Sequence, residues 1–440
     1  MRVIVIGAGQ VGTAIAEALY RDNDVVVLER DHGRYELLQS LDILVIEGNG
    51  ASPKSLLEAD VDMADLLIAC TDVDEVNIVA CATSKQLNPN LNTIARVQDP
   101  DYLTNWQEGY LGVNVMVCSE LITAKFIAMN LSVPEAKYVN EFANGKILMT
   151  EAEIRRGSPL ENVSVMDSQT PTGCVIASII RDGRIIIPSG DDILQEGDLL
   201  VNIGTPKAVS EFNTRMSQVK GFQHVAIIGG GRIGYRLASI LEGKGLAPYL
   251  IEADPDRARW LAEKLTHSLV LNHDGTDMDF LKQEKIDSVD VVVNVTGIEE
   301  KNLLSALLLK RLGVQRVIAR VDDPSHGQAF EMVGVDIAIS PRKLIADEII
   351  RFTRESEPEA VSMLEEERAE VMELEIPEQS KLTNRLLGEK LFPPGTIVGA
   401  IVRGQEVITP HGEDRLLPGD HAIVFAEQDK VKIVEALLTP

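Results

Sequence analysis

The sequence predicts an α/β protein: two tandem copies of a doubly wound parallel-sheet domain, each followed by a small α+β unit. Three observations predict it. Short apolar runs rich in Val, Ile and Leu alternate with helix-like stretches, the rhythm of strands covered on both faces and joined by crossover helices. A Gly-x-Gly-x-x-Gly turn separates the first run from the first helix-like stretch, in VIVIGAGQVG (3–12). The pattern then recurs, beginning with VAIIGGGRIG (225–234).

In the first copy the strand runs are 2–6, 24–28, 43–46, 66–70, 93–97 and 113–117. Thr13–Tyr20 and Asn77–Leu87 are among the helical stretches between them. A further helical stretch near 119–130 leads into the small unit, with strands at 174–180, 184–187 and 199–203. Its turns are rich in Gly and Asp, as in Ser189-Gly190-Asp191-Asp192, residues that supply tight-turn geometry. The second copy repeats this order, with a charged helical stretch expected near 359–370. The expected boundaries are 1–120, 121–137 (crossover) and 138–219, then 220–342, 343–370 (crossover) and 371–440.

The duplication is carried by five blocks at a near-constant offset of 222 to 225 residues. Gly7 maps to Gly229, and Glu29 to Glu252. Thr71 and Asn77 map to Thr296 and Asn302. TIARV, ending at Val97, maps to VIARV, ending at Val321. RDGRIIIPSGDDILQEGD (181–198) maps to RGQEVITPHGEDRLLPGD (403–420). Such self-similarity implies two copies of one structural unit.

Composition narrows the function classes. The 440 residues are 45% hydrophobic and 25% charged, a soluble globular profile. A formal net charge of −26 argues against nucleic-acid partners and against adsorption to anionic lipid. No apolar run approaches the roughly 18 residues that a spanning helix needs, so no direct membrane insertion is expected. The N-terminal Met1–Ile6 run reads as a first strand, because it enters a Gly turn instead of a cleavage site. Cys70, Cys81, Cys118 and Cys174 form no C-x-x-C pair and read as small reduced apolar residues.

The chemistry lies at the glycine turns. Gly7 allows the tight turn, Gly9 lets the backbone approach a pyrophosphate, and Gly12 permits close helix–strand packing. The helix that follows offers free N–H groups to phosphate. Glu29 ends the second strand 22 residues after Gly7, where a carboxylate accepts hydrogen bonds from ribose hydroxyls. Gly229, Gly231, Gly234 and Glu252 repeat the set. This Rossmann-like pattern predicts nucleotide binding. The carboxylates favour NAD(H) or an adenosine nucleotide such as ATP over NADP, whose 2′-phosphate would meet like charge. Arg30 is the residue that could turn toward such a phosphate; its plainer role is a solvated surface charge. Thr71-Asp72 and Thr296-Gly297 follow the fourth strands and would line the crevice, Thr71 otherwise serving as a helix cap. Arg96 and Arg320 sit inside apolar runs and need a partner, either a ligand phosphate or a carboxylate such as Asp72 or Asp99. The seven histidines share no position between the copies, and no catalytic constellation is visible. A soluble NAD-dependent dehydrogenase is the rival reading. It would need an acid–base residue and a substrate domain, whereas this chain spends its length on a second binding unit.

GAGQVG, EGNGAS (47–52), ACTDVDEVN (69–77) and IARV, in this duplicated order, resemble the TrkA-type regulatory subunits of Trk potassium-uptake systems, with tandem RCK units. The resemblance covers nearly the whole chain. It implies a non-enzymatic cytoplasmic protein at the inner face of the cell membrane, binding NAD(H) and ATP or ADP. It also implies assembly as a homo-oligomeric ring that gates a membrane-embedded potassium-translocating partner. By match, Gly7, Gly9, Gln10, Val11, Gly12, Glu29, Thr71, Asp72 and Arg96 form the first site. Gly229, Gly231, Arg232, Ile233, Gly234, Glu252, Thr296 and Arg320 form the second. Asp72 becomes Gly297 and Gln10 becomes Arg232, so the two sites are expected to differ in ligand preference, the second favouring the more highly charged ATP.

Overall fold

A computed structural model describes residues 1–21, 23–34, 43–104, 106–107, 109–133, 136–217, 222–353, 360–364, 369–389 and 391–438. The first module has six parallel strands: β1 (Arg2–Ile6), β2 (Asp24–Glu29), β3 (Leu44–Glu47), β4 (Leu66–Ala69), β5 (Asn92–Val97) and β6 (Val115–Cys118). They are ordered β3-β2-β1-β4-β5-β6, the doubly wound dinucleotide-binding arrangement. Each lies within two residues of its sequence-predicted run. The small module that follows is antiparallel: β7 (Ala136–Phe142), β8 (Ile147–Glu153), β9 (Cys174–Arg181), β10 (Arg184–Ile186) and β11 (Leu199–Gly204), ordered β10-β9-β11-β8-β7. β7 and β8 had no counterpart among the predicted runs.

The second copy repeats both sheets. β12 (Val225–Ile228), β13 (Tyr249–Glu252), β14 (Leu269–Asn272), β15 (Val291–Asn294), β16 (Arg316–Arg320) and β17 (Ile337–Ile339) are ordered β14-β13-β12-β15-β16-β17. The final sheet holds β18 (Ala360–Leu364), β19 (Ala369–Glu375), β20 (Thr396–Arg403), β21 (Glu406–Ile408) and β22 (His421–Glu427). The charged helix expected near 359–370 is therefore corrected: the described residues there form β18 and the start of β19, paired antiparallel. Glutamates favour a helix locally. Here Ala369 and Val371 enter one hydrophobic cluster and Met372 and Leu374 another, so β19 buries both faces, and strand pairing prevails over propensity. The second crossover helix is Pro341–Thr353, and strand structure of the last module begins by residue 360 instead of 371.

The modules pack as two compact units. Residues 1–125 and 223–353 form the first; residues 126–222 and 354–440 form the second. In the first unit the crossover helix of copy two completes the core of copy one. Its Ile345, Ala346 and Ile349 join Val3, Val5, Ile15 and Leu19 in one cluster, the i, i+4 isoleucines presenting one apolar face. In the second unit the two small sheets share a core that includes Phe142, Met149, Val201 and Ile203 with Val371, Ile423 and Phe425. Gly399 packs so closely that a Cβ there would lie 2.8 Å from the Ile203 side chain. Buried Glu373 accepts the Ala143 N–H of the first copy at 2.8 Å and lies 3.1 Å from His421 Nδ1. No helix among the described residues is long and apolar enough to cross a membrane.

Candidate functional site: two glycine-turn crevices

Both glycine turns form as the spacing predicts. Gly7 and Gly229 adopt φ +99° and +107°, open to glycine and strained for other residues. The helices Gln10–Leu19 and Arg232–Gly243 begin directly afterwards. A Cβ on Gly12 would stand 1.8 Å from the Gly7 carbonyl oxygen, and one on Gly234 would stand 1.9 Å from that of Gly229. Val11 and Ile233 are buried helix residues that anchor this packing. Neither helix has a side-chain cap or an acidic residue in its first turn. By contrast, helix Pro255–Lys264 is capped by Asp254 and helix Met278–Gln283 by Asp277. The glycine-turn helices thus leave N-terminal donors and dipole for an anion.

The strand-end carboxylates brace these turns. Buried Glu29 accepts N–H bonds from Ala8 at 2.5 Å and from Arg30 and Asp31 at 2.7 Å each. Glu252 accepts from Gly230 at 2.7 Å and Asp254 at 2.8 Å. Each carboxylate ties its second strand to the middle of its glycine turn. Arg30 is exposed, as its plainer role requires.

Thr71 and Thr296 lie at the mouths of the crevices, but neither caps the next helix; Val73 and Ile298 hold the cap positions. Their hydroxyls donate to Asn77 and Asn302 at 2.7 Å. These buried asparagines are the organising residues that sequence reasoning missed, although both stood out in the repeat. Asn77 Oδ1 accepts the Thr71 N–H, and its Nδ2 donates to the carbonyls of Thr71 and Arg96. Asn302 repeats every bond with Thr296 and Arg320. One amide side chain thereby clamps the ends of two adjacent strands. Asn77→Ala would leave three part-buried backbone groups without this partner, and it is expected to cost about 1–3 kcal/mol. Urea unfolding should show a lower midpoint, with amide exchange accelerated at residues 71–73 and 96–98.

The two arginines differ. Arg96, whose side chain is 11% exposed, faces the 70% exposed Asp72 at 3.5 Å. Arg320 binds Asp322 in a fork, at 3.0 and 2.7 Å. Gly297, which replaces Asp72, opens onto space, with nothing within 4 Å of an added Cβ.

The sites are also interleaved across the two copies. Arg342 of the second copy donates to Gln10 of the first and to the Asp322 carbonyl at 3.0 Å. Arg232 donates to Gln98 of the first copy at 2.8 Å, and Gln98 donates to the Asp72 carbonyl at 3.1 Å. Arg236 lies 3.5 Å from Asp101. Burial raises the Glu120 pKa above the usual carboxylate range, opposed by the Ser119 hydroxyl and by the charges of Arg96 and Arg232. The first residue of each glycine-turn helix, 10 or 232, therefore meets a polar side chain of the opposite copy.

Fold and site together define a protein built of paired Rossmann-type modules, each with an uncapped glycine turn. Family models agree. The TrkA-N domain matches residues 3–119 and 225–341, and the TrkA-C domain matches 149–217 and 371–439. The Trk system potassium uptake protein TrkA homolog 1 of Methanosarcina mazei is 39% identical over 445 residues, covering 99% of each chain. The Trk system potassium uptake protein TrkA of Vibrio alginolyticus is 32% identical, covering 100% of this chain and 99% of the relative. The GsuK channel bound to NAD superposes with a TM-score of 0.64 at 19% identity, covering 99% of this chain and 78% of that one; this shows a shared fold. The chain belongs to the TrkA family of Trk potassium-uptake proteins.

Proposed function

We propose that the chain is a regulatory subunit whose two crevices bind NAD(H) and ATP or ADP, and whose ring-shaped homo-oligomer gates a membrane-embedded potassium-translocating subunit. The observation that carries this reading is the interleaving of the two uncapped glycine turns within one compact unit. A nucleotide entering one crevice meets side chains of both copies, so its binding energy differs between arrangements of the pair. Only such differential affinity shifts a conformational equilibrium. The names of the relatives place family members in potassium uptake, which supports the choice of partner. Gly9 and Gly231 let the backbone approach the phosphates, in turns shaped by Gly7 and Gly12 and by Gly229 and Gly234, while Glu29 and Glu252 face the ribose. Thr71, Asp72 and Arg96, like Thr296 and Arg320, line the remaining wall. Asp72 and Gln10 at one site, against Gly297 and Arg232 at the other, favour ATP over NAD at the second. The deciding experiment is calorimetric titration of the full chain with NADH, NAD, ATP and ADP, with potassium flux through the reconstituted partner as the functional readout.

Glu29→Ala is expected to weaken first-site nucleotide binding by about 1.5–3 kcal/mol, the value of a charge-assisted bond pair. Glu29→Gln keeps the shape but loses the charge and should fall between wild type and alanine. Unchanged affinity in both variants would refute the ribose assignment.

A further inference from the structure

Five residues past the strand-end carboxylate, each copy carries an arginine: Arg34 after Glu29 and Arg257 after Glu252. Both guanidinium groups lie against the glycine turn. Arg34 Nη1 stands 3.4 Å from where a Cβ on Gly9 would be, and Arg257 Nε donates to the Gly230 carbonyl at 2.8 Å. In the second copy the side chain is locked in place. Its guanidinium lies 4.1 Å from the centre of the Trp260 ring, and Tyr235 packs edge-on against that ring at 4.9 Å. Its backbone N–H is held by the Asp254 cap at 2.7 Å. Glu252 is the nearby carboxylate, yet its oxygens take the Gly230 and Asp254 N–H groups. One of five guanidinium N–H donors is therefore spent on the turn, and the outer fork keeps its capacity for an anion.

We propose that Arg257, with Arg34 as its first-copy counterpart, is a phosphate-contacting cation of the nucleotide crevice, held against the glycine turn before the ligand arrives. This rests on reading the crevices as nucleotide sites. The chemistry suits the place. A planar fork matches phosphate oxygens, and a chain of net charge −26 needs fixed local cations to gather a polyanion. Pre-ordering on Trp260 spares the rotamer entropy that a free arginine loses on binding.

Trp260 is one of two tryptophans in the chain, so a full-length Trp106→Phe protein carries a reporter only at the second crevice. ADP titration followed by Trp260 emission, at about 50 and about 200 mM salt, gives that site's affinity; calorimetry gives the total. In this background Arg257→Ala is expected to raise the ADP dissociation constant about ten-fold or more and to flatten its salt dependence. Affinity within about two-fold of the parent, or a loss with unchanged salt dependence, would overturn the proposal and mark Arg257 as a brace of the turn. Should Arg257→Ala not fold, Arg257→Lys decides. That variant keeps the charge without the fork, and about three-fold weaker binding supports the contact, whereas parental affinity refutes it. A parent chain in which neither emission nor heat responds to ADP overturns the second-site ligand itself, and this inference with it.

Discussion

Gly12→Ala is expected to abolish nucleotide binding at the first crevice, and Gly234→Ala at the second. The new methyl would meet the Gly7 oxygen at 1.8 Å, or the Gly229 oxygen at 1.9 Å. Both are backbone atoms, so no side chain can swing away. The turn cannot relax easily either, because Gly7 and Gly229 are already held at positive φ. The helix must leave the strand, at a cost above about 3 kcal/mol, the upper range for overpacking. Urea unfolding and ligand stoichiometry test this on the full chain: one site should disappear and the unfolding midpoint should drop. Gly231→Ala supplies the contrast. An added Cβ there has no neighbour within 4 Å, so the protein should fold normally and lose only the close approach of the phosphate. A Gly12→Ala protein with the parental midpoint and two full sites would refute the packing argument.

The second large effect is expected in the small modules, at their arginine–aspartate pairs. Fully buried Asp198 accepts Arg181 Nε at 2.6 Å, Arg181 Nη2 at 2.7 Å and the Gln195 N–H at 2.8 Å. Arg181 in turn donates to the Ile193 carbonyl. Asp420 repeats the pattern with Arg403 and the Leu417 N–H. Asp198→Ala removes the acceptor of three charge-assisted hydrogen bonds, while the 28% exposed Arg181 side chain keeps access to water, so the expected cost is about 1.5–3 kcal/mol. Thermal or urea unfolding should show earlier loss of the small-module unit, with nucleotide affinity at the crevices little changed. A midpoint equal to the parent's would show that the pair is dispensable. All four cysteines are buried: desolvation pushes the Cys70, Cys81 and Cys174 thiols up to about 12 and that of Cys118 up to about 11, so thiol reagents are expected to leave the folded chain unmodified near neutral pH.

Much of this architecture could be read along the chain because its signals are local. Glycines at 7 and 12 specify a turn that only glycine can make, and a carboxylate closing the second strand needs no distant information. The repeat also pointed at structure without explaining it. The block 181–198 begins and ends on the residues that pair as Arg181 and Asp198. Asn77 and Asn302 recur because each clamps two strand ends, which becomes visible only once those strands are adjacent. The missed β7 and β8, and the helix expected near 359–370, failed for a related reason. A strand buried on both faces carries no clean alternation, and a glutamate-rich run reads as helix until a neighbouring strand claims it.

The sequence by itself determined the duplicated α/β modules, the glycine turns and the membership of the TrkA family. Each of these depends on residue type at short range or on self-similarity at one fixed offset. Only the tertiary structure decided that the modules pair with their own kind, copy with copy. It alone brought Arg342 to Gln10, Arg232 to Gln98 and Ile345 into the first core. Those contacts join residues more than a hundred positions apart. They are set by which apolar faces remain uncovered after each module folds, a quantity that no local pattern encodes.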